Sequence, residues 1–131
     1  MIDVKVARVS IDSCGYEAKD VTEAVRKLVR DLGLVKGVLT VYSLDGGCFV
    51  LGIEYEPSLL ADLEDFMKGL GCLERYQPCV ALFSKPLSIA VVGGELQLGV
   101  FRRVVFIDVS RVRGEKRVVV VAEGVFEKGS G

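Results

Sequence analysis

Apolar and polar residues alternate along the start of the chain and then change to a helical spacing. The alternation in residues 2–11 holds up to Val6 and resumes at Val9. This pattern predicts a strand with a β-bulge near Ala7, where the alternation slips.

Two amphipathic helices are predicted in the first half of the chain. The first follows Asp20, a candidate N-cap residue with Glu23 three positions later in a capping-box arrangement, and it ends before Gly33. Pro57 suits the first turn of the second helix. The apolar stripes are Val21, Ala24, Val25, Leu28, Val29 and Leu32 in the first helix, and Leu59, Leu60, Leu63, Phe66, Met67 and Leu70 in the second.

The other apolar runs predict strands. Two lie on either side of Asp45-Gly46-Gly47, and after an irregular segment over 72–79 the chain becomes rich in strands, with a hairpin turn at Gly93-Gly94. The unbroken run Val118–Val121 indicates a strand that is covered on both faces. The predicted strands after the first are 38–43, 48–53, 80–83, 87–92, 95–98, 104–109 and 117–122.

This order of elements predicts an α+β fold, with antiparallel β-sandwich-like sheets and two amphipathic helices on one side. Residues 1–131 form a single domain by length, and residues 126–131 are expected to be a frayed tail.

The chain contains no histidine. Histidine is the usual general acid or base at neutral pH and a frequent zinc ligand, so its absence argues against a catalytic or metal site. We therefore expect no catalytic residues, no metal and no cofactor. Asn and Trp are missing as well, and ion-pairing residues are abundant, which is typical of a protein from a thermophile.

Charge and hydropathy limit the partners. The net charge of −1 offers no basis for binding nucleic acid, which depends on clustered Lys and Arg. The sequence has no run of 18 apolar residues, so we expect no membrane span. The segment from Met1 to Val4 has no basic region ahead of an apolar stretch, and a cytoplasmic location is the expectation.

The four cysteines, Cys14, Cys48, Cys72 and Cys79, lack the two-residue gap of zinc knuckles and redox motifs. The first expectation is four buried, unreactive thiols. The alternative is a disulfide between Cys72 and Cys79, which are close enough in sequence to be bridged if the segment between them loops back.

Three stretches carry a family resemblance by their order and spacing. They are Asp20–Val25 followed by Gly37–Tyr42, then Glu56–Phe66, then Pro86–Val91 with Gly94–Gly99 and the closing valine strand. Together they resemble the YjbQ-like family, often described as secondary thiamine-phosphate synthases. The resemblance implies the fold of that family, a homotrimer, and a possible thiamine-phosphate-synthase-like activity.

The departures from the family fall on its candidate site. Leu44 stands where the family has a histidine, and Gly52-Ile53 replace an Asn-Glu pair. Tyr76–Pro78 takes the place of an Ala-His-Leu stretch, and Gly99–Arg102 that of Gly-Thr-Trp-Gln. The scaffold positions match while the polar positions do not.

The favoured function is therefore a non-catalytic homotrimeric scaffold or binding protein. Its high mean hydropathy, +0.41, supports burial of apolar surface between subunits. A monomer with a dense core is the alternative assembly.

Two other functions remain open. One is a rebuilt site for a small anion such as a phosphate ester, with weak or altered transferase activity, in which Gly46 and Gly47 let backbone amides approach the ligand and Arg102 clamps it. The candidate ligand-binding residues are Asp45, Gly46, Gly47, Glu54, Arg102 and Arg103. The other is a redox pair or soft-metal site formed by Cys48 and Cys79.

Overall fold

The computed structural model describes residues 2–54, 56, 58–99 and 102–127, over which eight strands and three helices follow one another. In chain order they are β1 (Ile2–Ser13), β2 (Glu17–Asp20), α1 (Thr22–Leu32), β3 (Leu34–Ser43), β4 (Cys48–Glu54), α2 (Leu59–Gly69), α3 (Gln77–Phe83), β5 (Leu87–Val92), β6 (Glu95–Leu96), β7 (Arg102–Asp108) and β8 (Gly114–Phe126).

The strands form two antiparallel sheets. The larger has the order β1-β8-β3-β5-β6, and the smaller has the order β2-β7-β4. One core lies between the sheets, and a second lies between the smaller sheet and the segment that contains α2 and α3. The predicted α+β sandwich is confirmed.

Strand β7 is buried on both faces because it is the middle strand of the smaller sheet. Val104 and Phe106 point into the core between the sheets, whereas Val105 and Ile107 contact the second core with Met67 of α2. Because both faces of this strand contact apolar residues, its apolar residues do not alternate with polar ones, and the sequence shows a continuous apolar run.

Helix α1 forms where the apolar stripe predicts it, and it buries Val25 and Val29 in the core between the sheets. The Asp20 carboxylate accepts hydrogen bonds from the Thr22 backbone N–H at 3.0 Å and from the Thr22 hydroxyl at 2.6 Å. The predicted capping box is wrong, because the Glu23 carboxylate pairs with Arg26 at 2.6 Å instead of reaching back.

The bulge predicted near Ala7 is also wrong. β1 pairs with β8 without a register shift from Ile2 opposite Val125 to Ser13 opposite Gly114. The alternation slips because the apolar residues change face: those up to Val6 point outward and are exposed, while Val9 and later ones point into the core.

The predicted strand over 80–83 is helical and belongs to α3. A disulfide joins Cys72 to Cys79, with Cα atoms 6.0 Å apart. This bridge holds the start of α3 against the second core, where Val80 and Phe83 can pack at helical spacing. A short apolar run forms a strand only if another strand lies beside it, and the residues that decide this are distant in sequence. The run over 80–83 therefore does not distinguish a strand from a helix.

The disulfide corrects the first expectation for the cysteines. Cys48 is a buried free thiol and Cys14 is exposed. Cys48 lies in the core between the sheets, and Cys79 lies in the second core, on the opposite face of the smaller sheet. The predicted Cys48–Cys79 redox or metal pair therefore does not form.

The frayed tail was predicted to begin too early. Phe126 is the last residue of β8, and the Glu127 N–H donates to the Gly33 carbonyl at 2.8 Å. The remainder of that predicted tail, and the predicted helix start at Pro57, lie outside the described residues. Of the helices in the described ranges, none is sufficiently long and apolar to cross a membrane.

Candidate functional site

Three connections meet at one end of the sandwich, which we call the loop end: residues 14–16, 44–47 and 109–113. Backbone hydrogen bonds tie them together, from Arg111 N–H to the Gly15 carbonyl at 2.7 Å and from Val109 N–H to the Gly47 carbonyl at 2.8 Å. The Arg111 side chain also donates to the Leu73 carbonyl at 2.9 Å, which brings the segment before α3 to the same place.

The turn between β3 and β4 contains three of the predicted anion-binding residues. Gly47 has φ +77°, and a Cβ atom there would lie 2.6 Å from the Ser110 Cβ, so the turn requires glycine for conformation and for close approach. A Cβ atom on Gly46 would lie 3.6 Å from the Tyr76 hydroxyl.

This contact brings together two stretches in which the chain departs from the YjbQ-like pattern, Leu44–Gly47 and Tyr76–Pro78. Leu44 is 40% exposed and can neither transfer a proton nor bind a metal. The two stretches therefore lie close together in space, and neither contains an imidazole.

Asp45 is held by Arg117 of β8. Its carboxylate accepts a hydrogen bond from the Arg117 backbone N–H at 2.5 Å and lies 3.4 Å from the guanidinium. Partial burial works to raise the pKa of Asp45, but the hydrogen bonds and charge of Arg117 outweigh it and the pKa is lowered. These contacts make Asp45 an anchor between the turn and β8.

A buried polar cluster lies beneath the loop end and consists of Ser13, Asp108, Ser110 and Lys116. Asp108 is 0% exposed, and its carboxylate accepts hydrogen bonds from the Ser13 hydroxyl at 2.6 Å and from the Ser110 N–H at 2.8 Å. The Lys116 ammonium lies 3.8 Å from the same carboxylate and donates to the Ser110 hydroxyl at 3.3 Å. Each charge thus has a partner, as burial requires.

Cys48 borders this cluster. Burial raises the pKa of its thiol to about 12, and the Asp108 carboxylate adds to the shift. A thiol with so high a pKa is a poor nucleophile and a poor metal ligand at neutral pH.

Sequence reasoning missed this buried cluster. The only signal is that Asp108 directly ends the apolar run Val104–Ile107 and that Lys116 precedes the next one. A charge at the end of a strand is usually solvated, so the pattern alone does not indicate burial.

The other predicted anion-binding residues lie at the opposite end of β4 and β7. Glu54 of β4 lies opposite Arg102 of β7 in the strand register, and both side chains are exposed. Since β4 has seven residues, this end lies about 20 Å from the Asp45 turn at the usual rise of a strand.

Arg103 is engaged in an ion pair, with its Nε 2.8 Å from the Asp20 carboxylate and its Nη2 3.6 Å from Glu23. Burial works to raise the pKa of Asp20, but its hydrogen bonds with Thr22 and Arg103 lower it overall. The six predicted residues thus form two separate groups within one chain, and anion binding by either group stays a prediction.

Within the described ranges, no group of three or more Cys, Asp or Glu side chains is arranged to hold a metal ion.

Comparison with solved structures identifies the architecture. The chain is similar to a YbjQ-like protein of unknown function from Sulfolobus solfataricus, with a TM-score of 0.83, 16% identity, and coverage of 95% of this chain and 100% of that one. A hypothetical protein from Aeropyrum pernix matches with a TM-score of 0.81, 24% identity, and coverage of 92% and 99%. An uncharacterised conserved protein of the YjbQ family from Clostridium acetobutylicum matches with a TM-score of 0.75, 20% identity, and coverage of 88% and 98%.

No protein-family model matches the chain, and a search of curated proteins finds no significant match. The predicted resemblance is confirmed at the level of the fold, over nearly the whole length of both partners in each comparison.

Proposed function

We propose that this chain, which has the fold of the YjbQ-like proteins, is a non-catalytic homotrimeric scaffold or binding protein. The observation that carries the proposal is the outer face of the five-stranded sheet. None of the three described helices contributes to that face, since α1 packs into the first core and the α2–α3 segment into the second.

The outer face carries exposed apolar side chains at the end away from the loop end, where a solvated sheet face would be polar. Residues opposite one another in antiparallel strands share a face, which places Ile2 with Val125 and Val38 with Ala90 on this side. Six large apolar side chains on it are 42–77% exposed; they are Ile2, Val4, Val6, Val38, Val92 and Val125. A contiguous set of this kind is typical of an interaction surface.

We assign this face to self-association, in which it contacts other copies of the same chain. Lys36 and Glu123 carry opposite charges within the patch, so repeated copies can pair charges as well as bury valines. Most soluble oligomers are closed assemblies of identical chains, and a trimer around one axis is the closed assembly that the resemblance to the YjbQ-like family implies.

The non-catalytic part of the proposal rests on the loop end. Leu44 supplies no proton-transfer group, Asp45 is bound to Arg117, and the Cys48 thiol stays protonated at neutral pH. Loss of one positioned acid or base typically costs 10²–10⁴ in rate.

The small-anion transferase is the weaker candidate. It would have to use either the Asp45 turn or the Glu54–Arg102 pair, because β4 separates them. If the protein is non-catalytic, it should show no turnover of thiamine-phosphate precursors, and millimolar thiamine phosphate should leave its melting temperature unchanged. Turnover at the rate of histidine-containing relatives would contradict the non-catalytic assignment.

Sedimentation equilibrium tests the assembly. We expect a single species of about three times the chain mass of 14.2 kDa. The variant Val6→Asp should sediment as a monomer, since it places a carboxylate from each copy in the apolar interface.

Val112→Asp is the matched control, because Val112 is 61% exposed and Val6 is 64% exposed, but Val112 lies in a connection at the loop end. It should remain trimeric. A monomeric wild-type chain, or dissociation of both variants alike, would contradict the proposal.

A further inference from the structure

Strand β1 lies at an edge of the five-stranded sheet, and β8 is the only described strand beside it. Its 12 residues pair with β8 without a register shift, and they include neither proline nor glycine. Short length, prolines and β-bulges are common means by which proteins keep an edge strand from pairing with another chain. β1 has none of these three protections.

The hydrogen bonds of Arg117 in β8 show which residues of β1 face the open edge. The Arg117 carbonyl accepts from the Leu44 N–H at 3.1 Å, and the Arg117 N–H donates to the Asp45 carboxylate. Both groups point away from β1, so Ser10, which lies opposite Arg117, directs its own N–H and carbonyl to the open edge. Because this direction alternates along an antiparallel strand, the other even-numbered residues of β1 do the same.

Side chains of the same chain occupy the edge at both ends of β1. The Val4 N–H donates to the Asp3 carboxylate at 2.8 Å, and the Asp12 carbonyl accepts from the Lys19 ammonium at 2.6 Å. In the stretch Val6–Ser10 between them, the N–H and carbonyl groups of the even-numbered residues have no partner among the described residues. The middle of the edge is therefore open to a further strand.

The corresponding edge of the smaller sheet is closed. β2 is also an edge strand, but it has only 4 residues, and the Glu64 carboxylate of α2 accepts a hydrogen bond from its Ala18 N–H at 2.9 Å. A side chain thus covers the short edge, while the long edge of β1 keeps an uncovered centre.

The side chains beside the open stretch define what fits there. Arg8 points to the outer side of the sheet, is exposed, and makes no ion pair within the described ranges. On the inner side, Val9 packs against the core between the sheets but is only half-buried. A strand added here places a carboxylate opposite Arg8 and apolar side chains beside Val9. The same stretch of a second copy does not match, because Val6–Ser10 contains no acidic residue.

We propose that the stretch Val6–Ser10 binds an extended segment of a partner protein, which adds to the sheet as a further strand beside β1. The segment alternates apolar with polar residues and carries a carboxylate opposite Arg8. Backbone hydrogen bonds hold the segment, and side chains set its sequence preference. The added strand lies in the plane of the sheet and does not cover the outer face, so the inference does not depend on the trimer.

The test is amide hydrogen exchange of the ¹⁵N-labelled protein, followed by two-dimensional NMR. Without peptide, the amides of Arg8 and Ser10 should exchange quickly, and those of Ala7 and Val9, which face β8, should exchange slowly. The probe acetyl-Thr-Val-Glu-Val-Thr-amide at millimolar concentration should slow the exchange at Arg8 and Ser10. Unchanged exchange with the probe would overturn the proposal, and so would slow exchange without it, because another copy would then already cover the edge.

Ser10→Pro removes an N–H that faces the edge, at a position where an edge strand tolerates proline. It should weaken binding of the probe at least about tenfold, whereas the matched control Ser10→Ala keeps the N–H and should bind as the wild type does. Equal binding by these two variants would contradict the proposal.

The charge preference is tested without altering the backbone. Arg8→Gln should weaken binding of the probe about threefold, the usual effect of one exposed ion pair. A second peptide with Lys in place of Glu should bind the wild type more weakly than the probe does. Equal binding of the two peptides would contradict the match between the segment and Arg8.

Discussion

Removal of the Lys116 ammonium is predicted to destabilise the protein more than any surface substitution. The variant Lys116→Met keeps the length and apolar stem of the side chain, but it leaves the Asp108 carboxylate buried without its counter-charge. Loss of one partner of a buried ion pair typically costs about 3–5 kcal/mol.

The structure places the expected cost at the lower end of that range, about 3 kcal/mol. The ammonium lies 3.8 Å from the carboxylate, which is a long separation, and Asp108 keeps hydrogen bonds from Ser13 and the Ser110 N–H. With the usual entropy of unfolding per residue, this loss corresponds to a fall in melting temperature of about 10 °C.

The assay is equilibrium unfolding in urea at a fixed chain concentration, because the stability of an oligomer depends on concentration. Lys85→Met is the matched control; Lys85 is exposed, and its substitution should change the free energy of unfolding by less than about 0.5 kcal/mol.

The single variants Lys116→Met and Asp108→Asn and the double variant that combines them form a double-mutant cycle. The neutral amide that replaces the carboxylate needs no counter-charge. The double variant should therefore lose about 2 kcal/mol less free energy of unfolding than the two single variants lose together. Additive losses, or a cost below about 1 kcal/mol for Lys116→Met, would refute the view that these charges stabilise one another.

Three further predictions follow from the loop end and the cysteines. A thiol reagent at pH 8 should modify Cys14 rapidly and Cys48 only after unfolding, because burial raises the pKa of Cys48 to about 12; four titratable thiols without reductant would contradict the disulfide. The pKa of Asp45 is lower in the folded state than in the unfolded state, so the unfolded chain binds this proton first as the pH falls. The contribution of Asp45 to stability is therefore present above about pH 4 and lost below it. In urea unfolding, the free energies of wild type and Asp45→Asn should differ at pH 6, and this difference should shrink near pH 2. Gly47→Ala should cost about 1–3 kcal/mol, since its φ of +77° and the Ser110 contact exclude a Cβ, while Gly46→Ala should cost less in the same assay.

Elements with a local cause can be predicted from the sequence alone. The apolar stripe from Val21 to Leu32 with Gly33 after it defines α1, because a helix is stabilised along one continuous segment. The Gly93-Gly94 turn defines the β5–β6 hairpin for the same reason. The resemblance to the YjbQ-like family also pointed to the stretches around Leu44 and Tyr76, which the fold brings close together.

Tertiary packing, by contrast, sets which face of a strand is buried and which charges lie close together. The alternation of β1 does not reveal that Ile2, Val4 and Val6 face outward, because a strand presents both faces equally until its sheet is packed. Asp108 and Lys116 are brought together by a crossing from one sheet to the other. Conversely, Asp45 and Arg102 lie far apart. Asp45 is in the turn before β4, whereas Arg102 begins β7, and antiparallel pairing places the start of β7 beside the end of β4.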